Sequence, residues 1–135
     1  MDNPQLKEYE TEITKFPSDP KIFGPGVWFV IHSSAHDAID EKSITDFLAF
    51  IRKIVTILPC GDCRNHATEY VNTHNPNDFI DLVNESGKKI GMFKYTWMFH
   101  NAVNERLGKR IIDFETAYHM YSQDEDTVCP IGCGE

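Results

Sequence analysis

Apolar residues recur at intervals of three and four positions along much of the chain, which is the spacing of one face of an α-helix. The clearest stripe spans residues 44–58 and consists of Ile44, Phe47, Leu48, Ile51, Ile54, Val55 and Leu58. Ser43 precedes this stripe and can accept a hydrogen bond from a backbone N–H group at a helix start. We therefore predict a helix that has Ser43 as its N-cap, runs through Leu58 and ends at Pro59.

Two further helices are predicted, one on each side of this stripe. Gly24 and Pro25 open the first, with the proline in the first turn, where its missing N–H breaks no hydrogen bond. We expect this helix to continue to about Asp40. Pro59 starts the other helix, which carries two cysteines near its beginning and extends to about Tyr70.

The second half of the chain contains a linker and then a long helix. Residues 72–78 have the composition of a loop. Residues 79–90 are ambiguous, and one interpretation is a short helix that ends at Gly87. A long helix is predicted over residues 91–107, with Gly108 as the residue that closes it.

These elements together predict an all-α protein. Asp113 is expected to cap one last short helix, no segment alternates for long with the period of a β-strand, and the sequence has no internal repeat. The predicted fold is a four-helix bundle with a short additional C-terminal helix. We expect a lead-in at 1–22, one folded domain at 23–122 and a flexible tail at 123–135.

Charge and hydropathy exclude several classes of partner. The chain has 21 acidic and 13 Lys and Arg residues, a formal net charge of −8, which disfavours nucleic acid and anionic membranes. Its longest apolar runs, such as residues 27–31, have about five residues, whereas a membrane-spanning helix needs about 20. The first fifteen residues are charged throughout and lack the apolar stretch of a secretory signal. We therefore expect a soluble protein with no nucleic-acid and no membrane partner.

The four cysteines form two close pairs, Cys60/Cys63 and Cys129/Cys133. In a protein without an export signal, close pairing indicates redox chemistry or metal binding rather than a framework of structural disulfides. At a helix start, the backbone N–H groups favour the reactive thiolate form of a Cys-x-x-Cys pair. This spacing alone leaves redox chemistry and a zinc site equally open.

Two features of the sequence favour the redox interpretation. The second cysteine pair lies within the last seven residues, behind an acidic stretch, which is a poor place for ligands of a structural metal. The chain also has enough hydrophobic helix to fold without one, so we predict no metal site. A thioredoxin-like enzyme is disfavoured because no βαβ pattern surrounds Cys60. A zinc-clipped interaction module without catalysis is the remaining alternative.

Two motifs resemble a known family. Residues 23–32, Phe-Gly-Pro-Gly-Val-Trp-Phe-Val-Ile-His, are similar to the Trp-Gly-x-x-x-Trp-x-x-Leu-His pattern of the Erv/ALR family of FAD-linked sulfhydryl oxidases. The family usually has Trp where this chain has Phe23, so an aromatic side chain is kept. Trp28 and His32 share one helix face and can contact one planar ligand. Residues 59–66, Pro-Cys-Gly-Asp-Cys-Arg-Asn-His, resemble the family's Cys-x-x-Cys followed by a basic residue and a histidine.

The most specific resemblance lies in residues 99–109. They read as the family's His-Asn-x-Val-Asn-x-x-Leu-x-Lys, which in relatives wraps the adenine, ribose and phosphate portions of FAD. His100, Asn104 and Leu107 recur every three or four residues and form one polar-edged helix face. Lys109, just past the helix end, would supply the positive charge that a diphosphate needs. The chain looks especially like compact members from large DNA viruses, which also lack the extra structural disulfide of cellular members.

The resemblance implies that the four-helix bundle holds FAD and oxidises thiols. Cys63 would lie beside the isoalloxazine, Cys60 would face incoming thiols, and Cys129/Cys133 would act as a shuttle that passes electrons to Cys60. The implied reaction forms disulfides in protein substrates and reduces O₂ to H₂O₂. The implied cofactor contacts are Gly24, Trp28, His32, Cys63, His66, His100, Asn101, Val103, Asn104, Leu107, Lys109 and, on the last helix, Tyr118.

The resemblance also implies partners and a setting. The expected partners are a protein thiol or a thioredoxin-like substrate, molecular oxygen and a second copy of the chain in a homodimer. The preferred location is cytoplasmic, in the host cytoplasm or the virion if the protein is viral. The mitochondrial intermembrane space is the alternative.

Overall fold

The computed structural model describes residues 19–122 and is all-α over this range, as predicted. The predictions for the first part of the lead-in and for the tail with Cys129 and Cys133 concern residues outside it. None of the described helices is long and apolar enough to cross a membrane. The helices in chain order are α1 (Pro20–His36), α2 (Glu41–Ile57), α3 (Gly61–Thr73), a short 3₁₀ helix (Pro76–Phe79), α4 (Gly91–Arg106) and α5 (Phe114–Tyr121).

Helix α1 begins four residues earlier than predicted. Asp19 is its N-cap, and the Asp19 carboxylate accepts a hydrogen bond of 2.9 Å from the backbone N–H of Lys21. Pro20 occupies the first helical position, where proline costs nothing. The prediction that Gly24 and Pro25 open the helix was therefore wrong, because Asp-Pro is the stronger start signal and Pro25 lies inside the helix.

The cap of α2 was also assigned to the wrong residue. The N-cap is Asp40, whose side chain accepts from the backbone N–H of Ser43 at 2.8 Å, and Ser43 Oγ accepts from the Asp40 N–H at 3.1 Å. This reciprocal capping box places Ser43 at the third helical position rather than at the cap. Asp40 can act as the cap because α1 ends at His36 and does not continue to Asp40 as predicted.

The ambiguous linker forms a loop, so the interpretation with a helix ending at Gly87 was wrong. Asn84 Oδ1 accepts hydrogen bonds of 2.9 Å from the backbone N–H groups of Ser86 and Lys88, which closes a polar turn. Gly87 has φ +80°, a conformation that glycine adopts without strain. Val83 and Lys89 form an isolated antiparallel bridge across this turn.

Two helix pairs enclose the core. Helix α1 packs against α4, α2 packs against α3, and α5 lies against both α1 and α4. The stripe predicted on α2 faces this core, since four of its residues are buried. The buried apolar residues are Ile31, Ala35, Ala38, Ile44, Phe47, Ile51, Val55, Ala67, Val71, Met92, Phe93, Tyr95 and Phe99.

The start of α4 tolerates no side chain. A Cβ atom placed on Gly91 would lie 1.6 Å from the carbonyl oxygen of Phe79, a backbone atom of the 3₁₀ helix that packs against α4. Because the backbone fixes the position of a Cβ atom and the oxygen also belongs to the backbone, rotation of a side chain cannot relieve this contact.

Gly91→Ala is therefore expected to lower the free energy of unfolding by about 3 kcal/mol through overpacking. Gly26→Ala is the matched control, because Gly26 is exposed within α1 and its added Cβ would meet nothing within 4 Å. It should raise stability by about 0.5–1 kcal/mol, the difference in helix propensity. Urea denaturation followed by circular dichroism measures both, and an unchanged Gly91→Ala variant would contradict the close packing.

Candidate active site

The first cysteine pair lies at the N-terminus of α3. Cys60 is the N-cap, and its Sγ accepts a hydrogen bond of 3.3 Å from the backbone N–H of Cys63. Hydrogen bonds from the Cys63 thiol and the Cys63 N–H lower the pKa of Cys60. Burial, together with the hydrogen bond and charge of Cys60, raises the pKa of Cys63 to about 11, and the Arg106 guanidinium opposes this rise. Of the two thiols in the reduced pair, Cys60 therefore loses its proton more readily than Cys63.

Cys63 lies in the wall of a cavity of about 770 Å³ that opens between the helices. This volume is within the range of about 300–1,000 Å³ that is typical of sites for small molecules and cofactors. Each of the five described α-helices contributes to the wall. The predicted site residues that line it are Gly24, Trp28, Cys63, His66, His100, Val103, Asn104, Leu107 and Lys109.

An aromatic pair forms one side of this cavity. The rings of Trp28 and His100 are stacked, with centroids 4.0 Å apart and planes 6° from parallel. The edge of Trp28 also meets Phe99, whose ring centroid is 5.3 Å away. Helices α1 and α4 thus present a flat aromatic surface to the cavity, and Trp28 rather than His32 is the residue of α1 that forms it.

His32 is predicted as a cofactor contact, but the structure places it behind this surface. It is buried, and its Nε2 lies 2.8 Å from His100 Nδ1. Burial, with the neighbouring His100, lowers the pKa of His32 to about 4, and burial, with the charge of Lys109, lowers the pKa of His100 to about 4. Both imidazoles are therefore neutral at physiological pH.

Asn101 holds the chain that follows α4 rather than lining the cavity. Its side-chain amide donates to the Ile112 carbonyl oxygen at 2.8 Å, and its Oδ1 accepts from the Ile112 N–H at 3.2 Å. Gly108, at φ +70°, closes α4 as predicted. The backbone N–H of Lys109 then returns to the Asn104 carbonyl oxygen at 2.7 Å, an arrangement typical of a Schellman motif. These contacts keep Lys109 at the cavity wall.

The last helix contributes a different tyrosine from the predicted one. Tyr118 packs against His36, Phe93 and Phe114 and is not among the residues that line the cavity. Tyr121, one turn later, does line it. The geometry therefore favours Tyr121 over Tyr118 as the tyrosine of α5 that faces the cavity.

Basic residues exceed acidic ones around the cavity, in contrast to the whole chain. Lys21, Arg106 and Lys109 line it, with Asp62 as the acidic residue in its wall. Two of the three cations were missed. Lys21 was missed because α1 was predicted to begin after it. Arg106 could have been found, since it follows Val103 by three positions and therefore shares its face of α4.

This wall fits the chemistry of FAD. A flat aromatic surface suits a ring system, apolar side chains of α2 suit a nonpolar flavin edge, and the local positive charge suits a diphosphate. The dithiol lies at the same wall, where a redox cofactor could reach it. Among residues 19–122, no three potential metal ligands cluster together.

An all-α bundle with a Cys-x-x-Cys pair in the wall of a cofactor-sized cavity defines a dithiol redox protein of the helical type. The profile of the Erv1 / Alr family matches residues 25–123, and the chain belongs to this family. The resemblance inferred from the sequence motifs is thereby confirmed.

Relatives and solved structures agree with this assignment. The FAD-linked sulfhydryl oxidase of African swine fever virus is 35% identical over 105 residues, which are 75% of this chain and 81% of the relative. A protein of invertebrate iridescent virus 6, named as a candidate FAD-linked sulfhydryl oxidase, is 34% identical over 97 residues, 70% of this chain and 86% of its own. The crystal structure of the yeast Erv1 core has the same fold, with a TM-score of 0.64 and 19% identity over 78% of this chain and 86% of that one.

The neutral histidine pair makes stability depend on pH. Below the ordinary pKa of 6.5, the unfolded chain takes up protons on His32 and His100 that the folded chain excludes down to about pH 4. The contribution of these two neutral histidines to the free energy of unfolding is therefore complete above pH 6.5 and is lost as the pH falls towards 4. Between about pH 7.5 and about pH 5 we expect a loss of about 2 kcal/mol for each buried imidazole.

Urea unfolding curves at the two pH values measure this loss, and histidine C2–H signals in NMR assign it. The variant His119→Gln is the control, because His119 is exposed on α5, and it should show the same drop. A free energy of unfolding that stays constant from about pH 7.5 to about pH 5 would argue against a neutral buried pair.

Proposed function

We propose that this chain is an FAD-linked sulfhydryl oxidase that forms disulfides in protein substrates and reduces O₂ to H₂O₂. The observation that carries the proposal is the position of the dithiol: Cys63 lies in the cavity wall, while Cys60, the N-cap of the same helix, is not among the residues that line the cavity. Family membership and the activity in the names of the viral relatives support it. The overall reaction converts two thiols and O₂ into one disulfide and H₂O₂.

Different residues of the chain would hold different parts of the cofactor. The stacked Trp28 and His100 provide the flat surface, and Lys109 and Lys21 provide charges that suit a diphosphate. When bound, FAD supplies the acceptor for two electrons from the Cys60/Cys63 dithiol and passes them to oxygen. Ile54 and Val55 of α2 add apolar surface to the cavity wall.

Thiol exchange at Cys60 is the step that the protein itself performs. A substrate thiolate attacks Sγ of Cys60 in the Cys60–Cys63 disulfide, and Cys63 leaves with the bonding electrons. A second substrate thiolate then attacks the substrate sulfur of the mixed disulfide and releases Cys60. Because the pKa of Cys60 is lowered, Cys60 is a good leaving group in this second exchange, and the raised pKa of Cys63 means that its released thiolate takes up a proton.

The tail is proposed to deliver electrons to this pair. Tyr121 lines the cavity, and Cys129 follows Ser122 by seven positions, so an extended chain could reach about 25 Å from the end of α5. Cys129/Cys133 would take electrons from a protein or thioredoxin-like substrate and pass them to Cys60. A homodimer, in which the tail could serve either subunit, and a cytoplasmic location remain predictions from the resemblance.

Cys63→Ser is expected to abolish oxygen consumption while the purified protein stays yellow. The substitution removes the sulfur at the cavity wall but keeps its size, so the cavity should still take up FAD. Asn65→Ala, an exposed position on the same helix, is the control and should keep full activity. An oxygen electrode with dithiothreitol and an absorbance spectrum provide the two readings. A colourless wild-type protein, or an active Cys63→Ser variant, would refute the proposed site.

The double substitution Cys129→Ser/Cys133→Ser tests the shuttle. We expect the variant to oxidise dithiothreitol at the wild-type rate, because this small dithiol reaches Cys60 directly. With reduced thioredoxin as substrate, the rate should fall by about tenfold or more, since the exchange partner of Cys60 is lost. Equal rates on thioredoxin for the variant and the wild type would show that the tail pair is not a shuttle.

A further inference from the structure

A buried chain of hydrogen bonds connects the backbone of α4 to the cavity wall. Thr96 Oγ1 lies 2.8 Å from the Phe93 carbonyl oxygen and 3.0 Å from His32 Nδ1. His32 Nε2 lies 2.8 Å from His100 Nδ1, and His100 lines the cavity. Thr96 is fully buried and His32 is 5% exposed, so water does not compete for these bonds. Thr96 belongs to no family motif recognised in the sequence.

The direction of each bond in this chain follows from its first member. A carbonyl oxygen can only accept, so the Thr96 hydroxyl donates its single proton to Phe93. Thr96 Oγ1 is then free only to accept, and His32 must carry its proton on Nδ1. In a neutral imidazole the other nitrogen is an acceptor, so His32 Nε2 accepts from Nδ1–H of His100.

The last nitrogen of the chain points to a ligand. With its proton on Nδ1, His100 is left with a lone pair on Nε2. That atom has no hydrogen-bond partner among residues 19–122, and stacking against Trp28 holds the imidazole plane in place. Both imidazoles stay neutral because burial lowers the pKa of each to about 4, so the arrangement is not lost by protonation near neutral pH.

We propose that Thr96 is a positioning residue that sets the proton positions of His32 and His100, so that His100 Nε2 offers an acceptor to a hydrogen-bond donor on the bound FAD. The proposal rests on the proposed function, since it names how the same cavity selects its cofactor. Thr96 touches neither the cavity nor the thiols and acts through two histidines. A ligand with an acceptor at this place would meet a lone pair and bind less tightly.

Removal of the hydroxyl should reverse the whole chain. In Thr96→Val the side chain keeps its shape, but a proton on His32 Nδ1 would be buried without an acceptor, at a cost of about 1–3 kcal/mol. The proton of His32 is then expected to move to Nε2, where it would be donated to His100 Nδ1. His100 would in turn carry its proton on Nε2 and present a donor instead of an acceptor to the cavity.

The experiment uses full-length protein labelled with ¹⁵N in histidine and compares wild type, Thr96→Val and Thr96→Ser. Nitrogen chemical shifts should place the proton of both histidines on Nδ1 in the wild type and on Nε2 in Thr96→Val. Titration of the flavin-free chain with FAD should give a dissociation constant about tenfold higher for Thr96→Val, which corresponds to about 1.4 kcal/mol. Thr96→Ser restores the hydroxyl and should return both readings towards wild type.

Several results would overturn the proposal. A proton on Nε2 of His32 in the wild type would do so directly, even if Thr96→Val failed to fold. Unchanged FAD affinity in a folded Thr96→Val, or a Thr96→Ser variant as weak as Thr96→Val, would assign Thr96 to packing alone. A wild-type chain that binds no FAD would refute the proposed function instead, and the histidine shifts can still be read without the cofactor.

Discussion

The packing of α1 against α4 through an aromatic and histidine cluster is the interaction on which the rest of the structure depends. Trp28 stacks on His100, and His32 bonds to the same imidazole from behind. A buried imidazole is tolerated only when its polar atoms are paired, and both ring nitrogens of the buried His32 have a partner. The contact therefore fixes both the separation of the two helices and the orientation of one cavity wall. Without it, neither Lys109 nor the dithiol would face a defined space.

The dithiol depends on a second constraint, the start of α3. Cys60 takes the place of a polar N-cap, so the helix end and the Cys63 N–H stabilise charge on its sulfur. The same geometry turns Cys63 inward, where burial keeps its proton. One turn of helix thus gives two thiols with opposite tendencies, one suited to exchange with solvent-borne thiols and the other to a position against a cofactor. The charge of Arg106 on α4 lowers the pKa of Cys63 but does not cancel the rise that burial causes.

Much of the fold could be predicted because helices are coded locally. The stripe on α2 became the buried face of that helix, and Gly108 closed α4 as expected from its freedom at positive φ. Helix boundaries were less accurate, since Asp19, Asp40 and Ser43 all carry side chains that can cap, and local sequence does not decide among them. The short helix expected to end at Gly87 does not form, because the side chain of Asn84 replaces the backbone hydrogen bonds that a helix would have made.

The sequence by itself determined the all-α class, the redox interpretation of the Cys-x-x-Cys pair, the family and nine of the residues that line the cavity, because motifs at helical spacing present one face. Only the tertiary structure decided which of those side chains line the cavity. It placed His32 behind the wall and paired the Asn101 side chain with the Ile112 backbone. It also showed that Tyr121 rather than Tyr118 lines the cavity. It also placed Lys21 in the cavity wall and Thr96 within hydrogen-bonding distance of His32. The reason is physical: the pKa values of the two histidines, the hydrogen bond between them and the local positive charge arise from contacts between helices that lie far apart in the chain.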